Sequence, residues 1–194
     1  MVSRMIAIVM CDRNFAIASN GKQPIHLKED LKRFRKRTNR ATVVYGRRTL
    51  EELPCGLLLP ERRNLILSRK RNLVVSDSNH SKIVHSVTEV IRLMEDDVRR
   101  FIAFGKNAKL YRPFYVIGGS EIYHQFITYC DEVIMTMVDT EFEYPTAYFP
   151  DLSMKDPVTK RPEWIKKYND VSVEDVDADT GEVYQTKILH WIAN

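Results

Sequence analysis

The sequence predicts an α/β fold in which a mostly parallel sheet is flanked by helices and finished by an antiparallel hairpin. Three observations carry this. Apolar runs of strand length alternate with helical segments from Met5 to about Asp139. Two of these runs, in "TVVYGRRT" and "FYVIGGSEIY", end in glycine and pass directly into a helix. The segment "VSVEDVDADTGEVYQTKILHWI" instead holds two alternating stretches around Asp-Thr-Gly, a hairpin pattern.

Each element has its own signal. "MIAIVM" (5–10) is a continuous apolar run of strand length, and "NFAIASNGKQPIH" after it, with Gly and Pro, reads as a loop. A helix covers His26 to Thr38. "ATVVYG" (41–46) is a buried-type strand, "RRTLEEL" a short helix, "CGLLLPERR" a turn and "NLILSR" (64–69) a third strand. "KIVH" (82–85) is a short strand. "SVTEVIRLMED" opens a helix with Ser86 as cap and Glu89 in capping-box position. "FYVIGG" (114–119) is a strand, "SEIYHQFITYC" an amphipathic helix and "EVIMTMVD" (132–139) a strand. No low-complexity linker or repeat interrupts this order, so residues 1–194 are expected to form one domain.

Composition narrows the function classes. The chain has 194 residues, 44% hydrophobic and 29% charged, an ordinary globular balance. No apolar run is long enough to span a bilayer, and "MVSRM" lacks the apolar core of a signal peptide. A cytoplasmic protein is expected, with no membrane contact. Cys11, Cys55 and Cys130 show no paired spacing and read as reduced thiols. The His residues are scattered and no CxxC or HExxH occurs, so no metal site is expected. A net charge of +4 gives no case for nucleic acid. The basic residues cluster instead at Lys32–Arg40, Arg47–Arg48 and Arg62–Arg71, which favours a partner bearing phosphate or carboxylate. A monomer is expected.

On a helical wheel, Leu27, Leu31, Phe34 and Thr38 of "HLKEDLKRFRKRT" share one arc, and most of the charged residues lie opposite. Asp30 falls inside the apolar arc. Two readings fit it equally: a first-turn acid satisfied by the helix dipole, or a carboxylate turned into a cleft. The glycine turns at Gly46 and at Gly118–Gly119 suit a diphosphate, because glycine permits close approach and a helix start offers free N–H groups. Neither matches GxGxxG or the Walker A pattern, and ordinary strand-to-helix turns remain the other reading. Arg47 and Arg69 are placed to grip a monophosphate between neighbouring strands, or are exposed loop charges.

The blocks "HLKEDLKRF", "VVYGRRTLEEL", "LPERRNLILSR", "YVIGGSEIYHQF" and "FPDL", in this order from about Met5 to Leu152, resemble dihydrofolate reductase. The resemblance implies a central eight-stranded sheet and NADPH-dependent reduction of 7,8-dihydrofolate to tetrahydrofolate. It makes Asp30 the single acid that pairs with the pterin 2-amino group and N3 and promotes protonation at N5, with Thr136 bonding that carboxylate. Phe34 would pack on the pterin, with Ile8, Met10, Leu31, Arg35, Leu53, Leu59 and Ile117 completing the substrate pocket. Arg62 would take the α-carboxylate of the glutamyl tail. The cofactor set would be Ile17, Ala18, Gly46, Arg47, Arg48, Thr49, Leu67, Ser68, Arg69, Gly118, Gly119, Ser120, Glu121, Ile122 and Tyr123. The resemblance also implies a cis peptide at Gly118–Gly119.

The chain departs from the family pattern in several places. Ile25 stands where most members have Trp, Lys28 at a frequent Pro, Ala18 at a usual Gly, and Glu61 replaces the Gly of the "LPGR" turn. Two other readings predict different things. A pyrimidine reductase of the same fold needs no inward helix acid beside Phe34. An idle relative acting as a binding or structural protein would not turn over NADPH.

Overall fold

The computed structural model describes residues 4–75, 80–104, 113–152, 164–166 and 171–193. Its strands are β1 (Met5–Cys11), β2 (Ala16–Ser19), β3 (Thr42–Gly46), β4 (Arg63–Leu67), β5 (Ser81–Val84), β6 (Phe114–Gly118), β7 (Glu132–Val138), β8 (Pro145–Tyr148), β9 (Trp164–Lys166), β10 (Val171–Val176) and β11 (Val183–Ala193). The helices are α1 (Lys28–Thr38), α2 (Arg47–Glu52), α3 (Val87–Phe104) and α4 (Ser120–Phe126).

Eight strands form one path, β10-β11-β7-β1-β6-β3-β4-β5, and β9 pairs with β11 beside it. Every pairing from β7 to β5 is parallel, and those of β11 with β7, β9 and β10 are antiparallel. The two-residue period of β1 explains its all-apolar sequence. Met5, Ala7, Val9 and Cys11 enter the cluster with Val44, Phe114, Val116, Phe126 and Met135. Ile6 joins Val43, Tyr45, Tyr115 and Ile134 in a second cluster. A strand buried on both faces has no polar phase, which is why the central strands read as continuous apolar runs.

Two expectations are corrected. Part of the segment read as a loop after the first strand is β2, paired antiparallel with β8 in a separate two-stranded sheet. Its pairing partner lies over a hundred residues away, so no local turn signal announces it. The helix expected from His26 begins at Lys28, with Leu27 as N-cap and no side-chain cap of its own. The Ser86 hydroxyl accepts a bond from the Glu89 N–H at 3.1 Å, the cap that the sequence predicts, and the Glu89 carboxylate reaches back to accept from the His85 N–H at 2.9 Å.

One buried ion pair ties the far side of the sheet. Asp97 on α3 receives both terminal nitrogens of Arg63 on β4, whose Nε donates to Thr42 Oγ1 at 3.0 Å. All three free cysteines lie apart: Cys11 and Cys130 are buried and Cys55 is exposed.

Candidate active site

The C-terminal ends of parallel strands are where open α/β sheets bind ligands. Here those ends, at Met10, Gly46, Leu67 and Gly118, open on a cavity of about 810 Å³. Gly46 and Gly119, both in the cavity lining, are the N-caps of α2 and α4, and neither helix start carries a side-chain cap. Close approach forces the glycines. A Cβ on Gly46 would stand 3.0 Å from Ile122 Cγ1. Gly118 has φ +110°, and a Cβ there would lie 3.1 Å from the Tyr123 ring. The Gly118–Gly119 peptide is cis.

Charge is graded around this cavity. Arg47, Arg48, Arg69 and Lys70 line it. Arg47 is drawn back into an ion pair with Glu51, one turn along α2. Ser68 is held by His85, whose Nδ1 donates to the Ser68 carbonyl at 2.7 Å, while Ser68 Oγ accepts from the Lys70 N–H at 3.1 Å. These bonds fix the turn that presents Arg69 and Lys70. The opposite wall comes from β2 and β8 through Ile17, Ala18, Thr146 and Ala147.

Asp30 projects from the first turn of α1. Thr136 Oγ1 on β7 donates to its Oδ1 at 2.5 Å, and Arg33 Nη2 approaches the same oxygen at 3.5 Å. Among the described residues Oδ2 has no hydrogen-bond partner. The side chain is 22% exposed, a half-buried position. Burial is the main influence on its titration and raises its pKa; the Thr136 hydroxyl and the Arg33 charge oppose that, and a nearby carboxylate, Asp175, adds to it. Thr136 pairs with Met10 in the β1–β7 register, so the acid's anchor is one strand from the cavity. Tyr123 closes the connection, its hydroxyl donating to the Ile8 carbonyl at 2.7 Å.

Arg62 is 4% exposed and makes no ion pair among the described residues. Its Nε donates to Thr38 Oγ1 and its Nη1 to the Pro60 carbonyl, both at 2.8 Å, and Nη2 reaches the Arg35 carbonyl at 3.4 Å. Its guanidinium carbon lies 5.8 Å from the Phe34 ring centroid. Burial lowers the pKa of this cation, and neighbouring Arg35 lowers it further. A buried guanidinium next to a second arginine is suited to receive a carboxylate. Glu61 before it has φ +59°, a left-handed conformation that favours glycine.

A family model described as dihydrofolate reductase matches residues 4–191. The chain belongs to the dihydrofolate reductase family. Members of that family are NADP-dependent oxidoreductases of tetrahydrofolate metabolism. The chain is 29% identical to dihydrofolate reductase type 8 of Escherichia coli, over 94% of this chain and 96% of that one. It is 27% identical to a dihydrofolate reductase of Haloferax volcanii, over 95% and 84%. The solved structure of Enterococcus faecalis dihydrofolate reductase complexed with NADP(H) and RAB-propyl superposes with a TM-score of 0.72, at 27% identity, covering 98% of this chain and 96% of that one.

The residues that the dihydrofolate reductase resemblance singles out fall into two groups. Its cofactor set, Ile17, Ala18, Gly46 to Thr49, Leu67 to Arg69 and Gly118 to Tyr123, lines this cavity, as do Met10 and Ile117. Asp30, Leu31, Phe34, Arg35, Leu53, Leu59, Arg62, Thr136 and Ile8 lie outside its lining. Leu31 is 44% exposed and is the most open of the expected apolar contacts. Sequence reading missed Gln23, Glu52 and Thr146, which also line the cavity. The Gly21 N–H donates to Thr146 Oγ1 at 2.9 Å, a cross-sheet bond with no local signature. Ile25 is 6% exposed and packs with Met10 and Leu27. The Gln23 carboxamide donates to its carbonyl at 3.0 Å.

Proposed function

We propose that this chain reduces 7,8-dihydrofolate to tetrahydrofolate with NADPH, and that Asp30 is its proton-managing acid. The observation that carries this is a half-buried carboxylate, anchored by Thr136, one strand from a phosphate-ready cavity. When bound, NADPH would supply the hydride for pterin C6, with N5 taking a proton from solvent so that the C=N bond is reduced. The donor set fits that group: two uncapped helix starts on glycines would hold the diphosphate, and Arg48, Arg69 and Lys70 would offer cations for a further phosphate. This favours NADPH over NADH.

Asp30 binds and polarises. Thr136 fixes Oδ1, and the unpartnered Oδ2 is free to complete a planar two-point contact with adjacent N–H donors of a pterin. An ionised carboxylate in a half-dry wall is costly without a partner. It therefore favours a ring carrying an extra proton, which is the more electrophilic ring. Because the reaction consumes a proton, kcat/KM falls as pH rises through the titration of this acid–substrate unit. Phe34 offers an apolar face, and Arg62 an unpaired cation for the tail carboxylate. The inward acid beside Phe34 tells against a pyrimidine reductase of the same fold.

The test is direct. Purified protein with NADPH and dihydrofolate should lose absorbance at the reduced-nicotinamide band, and Asp30→Asn should abolish most of that loss. Full activity in Asp30→Asn at neutral pH would remove Asp30 from this role. No decay above a blank for the parent protein would defeat the activity itself.

A further inference from the structure

The acid-bearing helix is not capped by its own N-cap residue. Leu27 occupies that position, and the orphan N–H groups of Glu29 and Asp30 donate instead to Asp175 on β10, each at 2.9 Å. The Asp175 side chain is fully buried. It also accepts the Val176 N–H at 2.9 Å, and Arg33 Nη2 at 3.3 Å. The same Arg33 nitrogen lies 3.5 Å from Asp30 Oδ1. One guanidinium thus spans two carboxylates, one half-buried and one fully buried. This follows from helical geometry: residues three apart on α1 share a face, and β10 runs under that face.

We propose that Asp175 is a positioning residue for Asp30, capping the helix that carries it and, through Arg33, setting the orientation of the acid and the pH range in which it works. This rests on the reading of Asp30 given above. The carboxylate of Asp175 substitutes for a local N-cap and is favoured by the positive end of the helix. Its two oxygens divide the work. Oδ1 takes Glu29 and Val176, and Oδ2 takes Asp30 and Arg33. A displacement of β10 therefore moves the backbone N–H of Asp30 and the cation beside its side chain together.

Among the described residues, the charged and titratable groups facing Asp30 are few. On α1 they are Arg33 and the exposed Glu29–Lys32 pair. On β10 there is Asp175, and on α4 the phenol of Tyr123, whose own ionisation Asp30 disfavours. From β7 comes only the neutral hydroxyl of Thr136. Arg33 and Asp175 act on Asp30 with opposite sign, the first holding its proton affinity down and the second pushing it up. A purely structural cap lacks this signature.

The experiment measures kcat/KM for dihydrofolate against pH in the full-length protein. Arg33→Met removes the cation and leaves Asp175 uncompensated, so the fall in kcat/KM should move to higher pH by about 0.5–1, limited by the partial exposure of Arg33. Asp175→Asn leaves Arg33 uncompensated, so the fall should move to lower pH. Arg33→Lys keeps the charge and should restore the parent profile. Shifts of the same sign in Arg33→Met and Asp175→Asn, or none in either, would overturn the proposal. If Asp175→Asn does not fold, the Arg33→Met and Arg33→Lys pair decides, since an unmoved profile in Arg33→Met is then sufficient to reject it. Asp30→Asn separates the two levels. An inactive Asp30→Asn with unmoved profiles elsewhere rejects only the role of Asp175, whereas an active Asp30→Asn rejects the acid assignment beneath it.

Discussion

The cavity proposed to hold the cofactor and the proposed acid site are built differently. The cavity is assembled from short turns, Gly46 into α2, Ser68 to Lys70, and Gly118–Gly119 into α4, each complete within a few residues of sequence. The acid site is assembled across the chain. Asp30 is bonded by a hydroxyl 106 residues away, and its helix is capped by a carboxylate 145 residues away. The first kind of site tolerates change at a distance and fails locally. The second fails wherever either end of a long-range bond is altered.

The largest contrast should come from Asp30→Asn. We expect kcat to fall by about 10²–10⁴-fold, with NADPH affinity measured by fluorescence titration unchanged. The same variant should melt at a higher temperature at neutral pH. Burial raises the folded-state pKa of Asp30, so its stabilising contribution is complete below the unfolded value and is lost as pH rises through the folded one. Near neutrality the ionised group is a net burden, and the amide removes it. A lower melting temperature for Asp30→Asn at pH 7 would contradict this sign.

Gly118→Ala should strike the cavity without touching the acid. The φ of +110° and a Cβ 3.1 Å from the Tyr123 ring give an expected loss of about 1–3 kcal/mol in stability, read in urea unfolding, with KM for NADPH rising more than KM for dihydrofolate. Equal effects on both would blur the division between the two sites. Arg69→Ala should raise KM for NADPH about tenfold, as one charge-assisted contact is removed, and leave NADH use nearly unchanged. A parallel rise with both cofactors would show that Arg69 does not read the extra phosphate.

The smallest effect should be a gain. Glu61→Gly relieves a left-handed φ of +59° and should stabilise the fold by about 0.5–1 kcal/mol after the greater entropy of unfolded glycine is deducted. Thermal unfolding checks it, and a loss would show that the Glu61 side chain makes a compensating contact.

Much of the cavity was legible because its signals are local. An apolar run, a glycine and a helix start lie side by side in "TVVYGRRT" and "FYVIGGSEIY". The pairing of β2 with β8 was not, since "AIAS" is short and its partner is distant. Asp175 was hidden for a different reason. "VSVEDVDADTG" looks like an edge strand with solvated acids, and only its phase betrays it. Val173, Asp175 and Asp177 share one face, and both aspartates are buried. Asp177 uses that burial too. Desolvation alone would raise its pKa, but N–H donors from Thr180, His26 and Asp179 prevail and hold it below the usual range. Inward phase in a hairpin strand was the available clue.

The order of synthesis adds a final consequence. Lys28–Thr38 leaves the ribosome long before Asp175 is made, so a nascent α1 has no partner for the N–H groups of Glu29 and Asp30. The glycine turns and the parallel strands β1, β3, β4 and β6 can meet earlier. Pulse-labelled hydrogen exchange should therefore show the amides of residues 29 and 30 gaining protection together with β10 and β11. Catalytic competence would then be the last property acquired during biogenesis, after the nucleotide-accepting half has already taken shape.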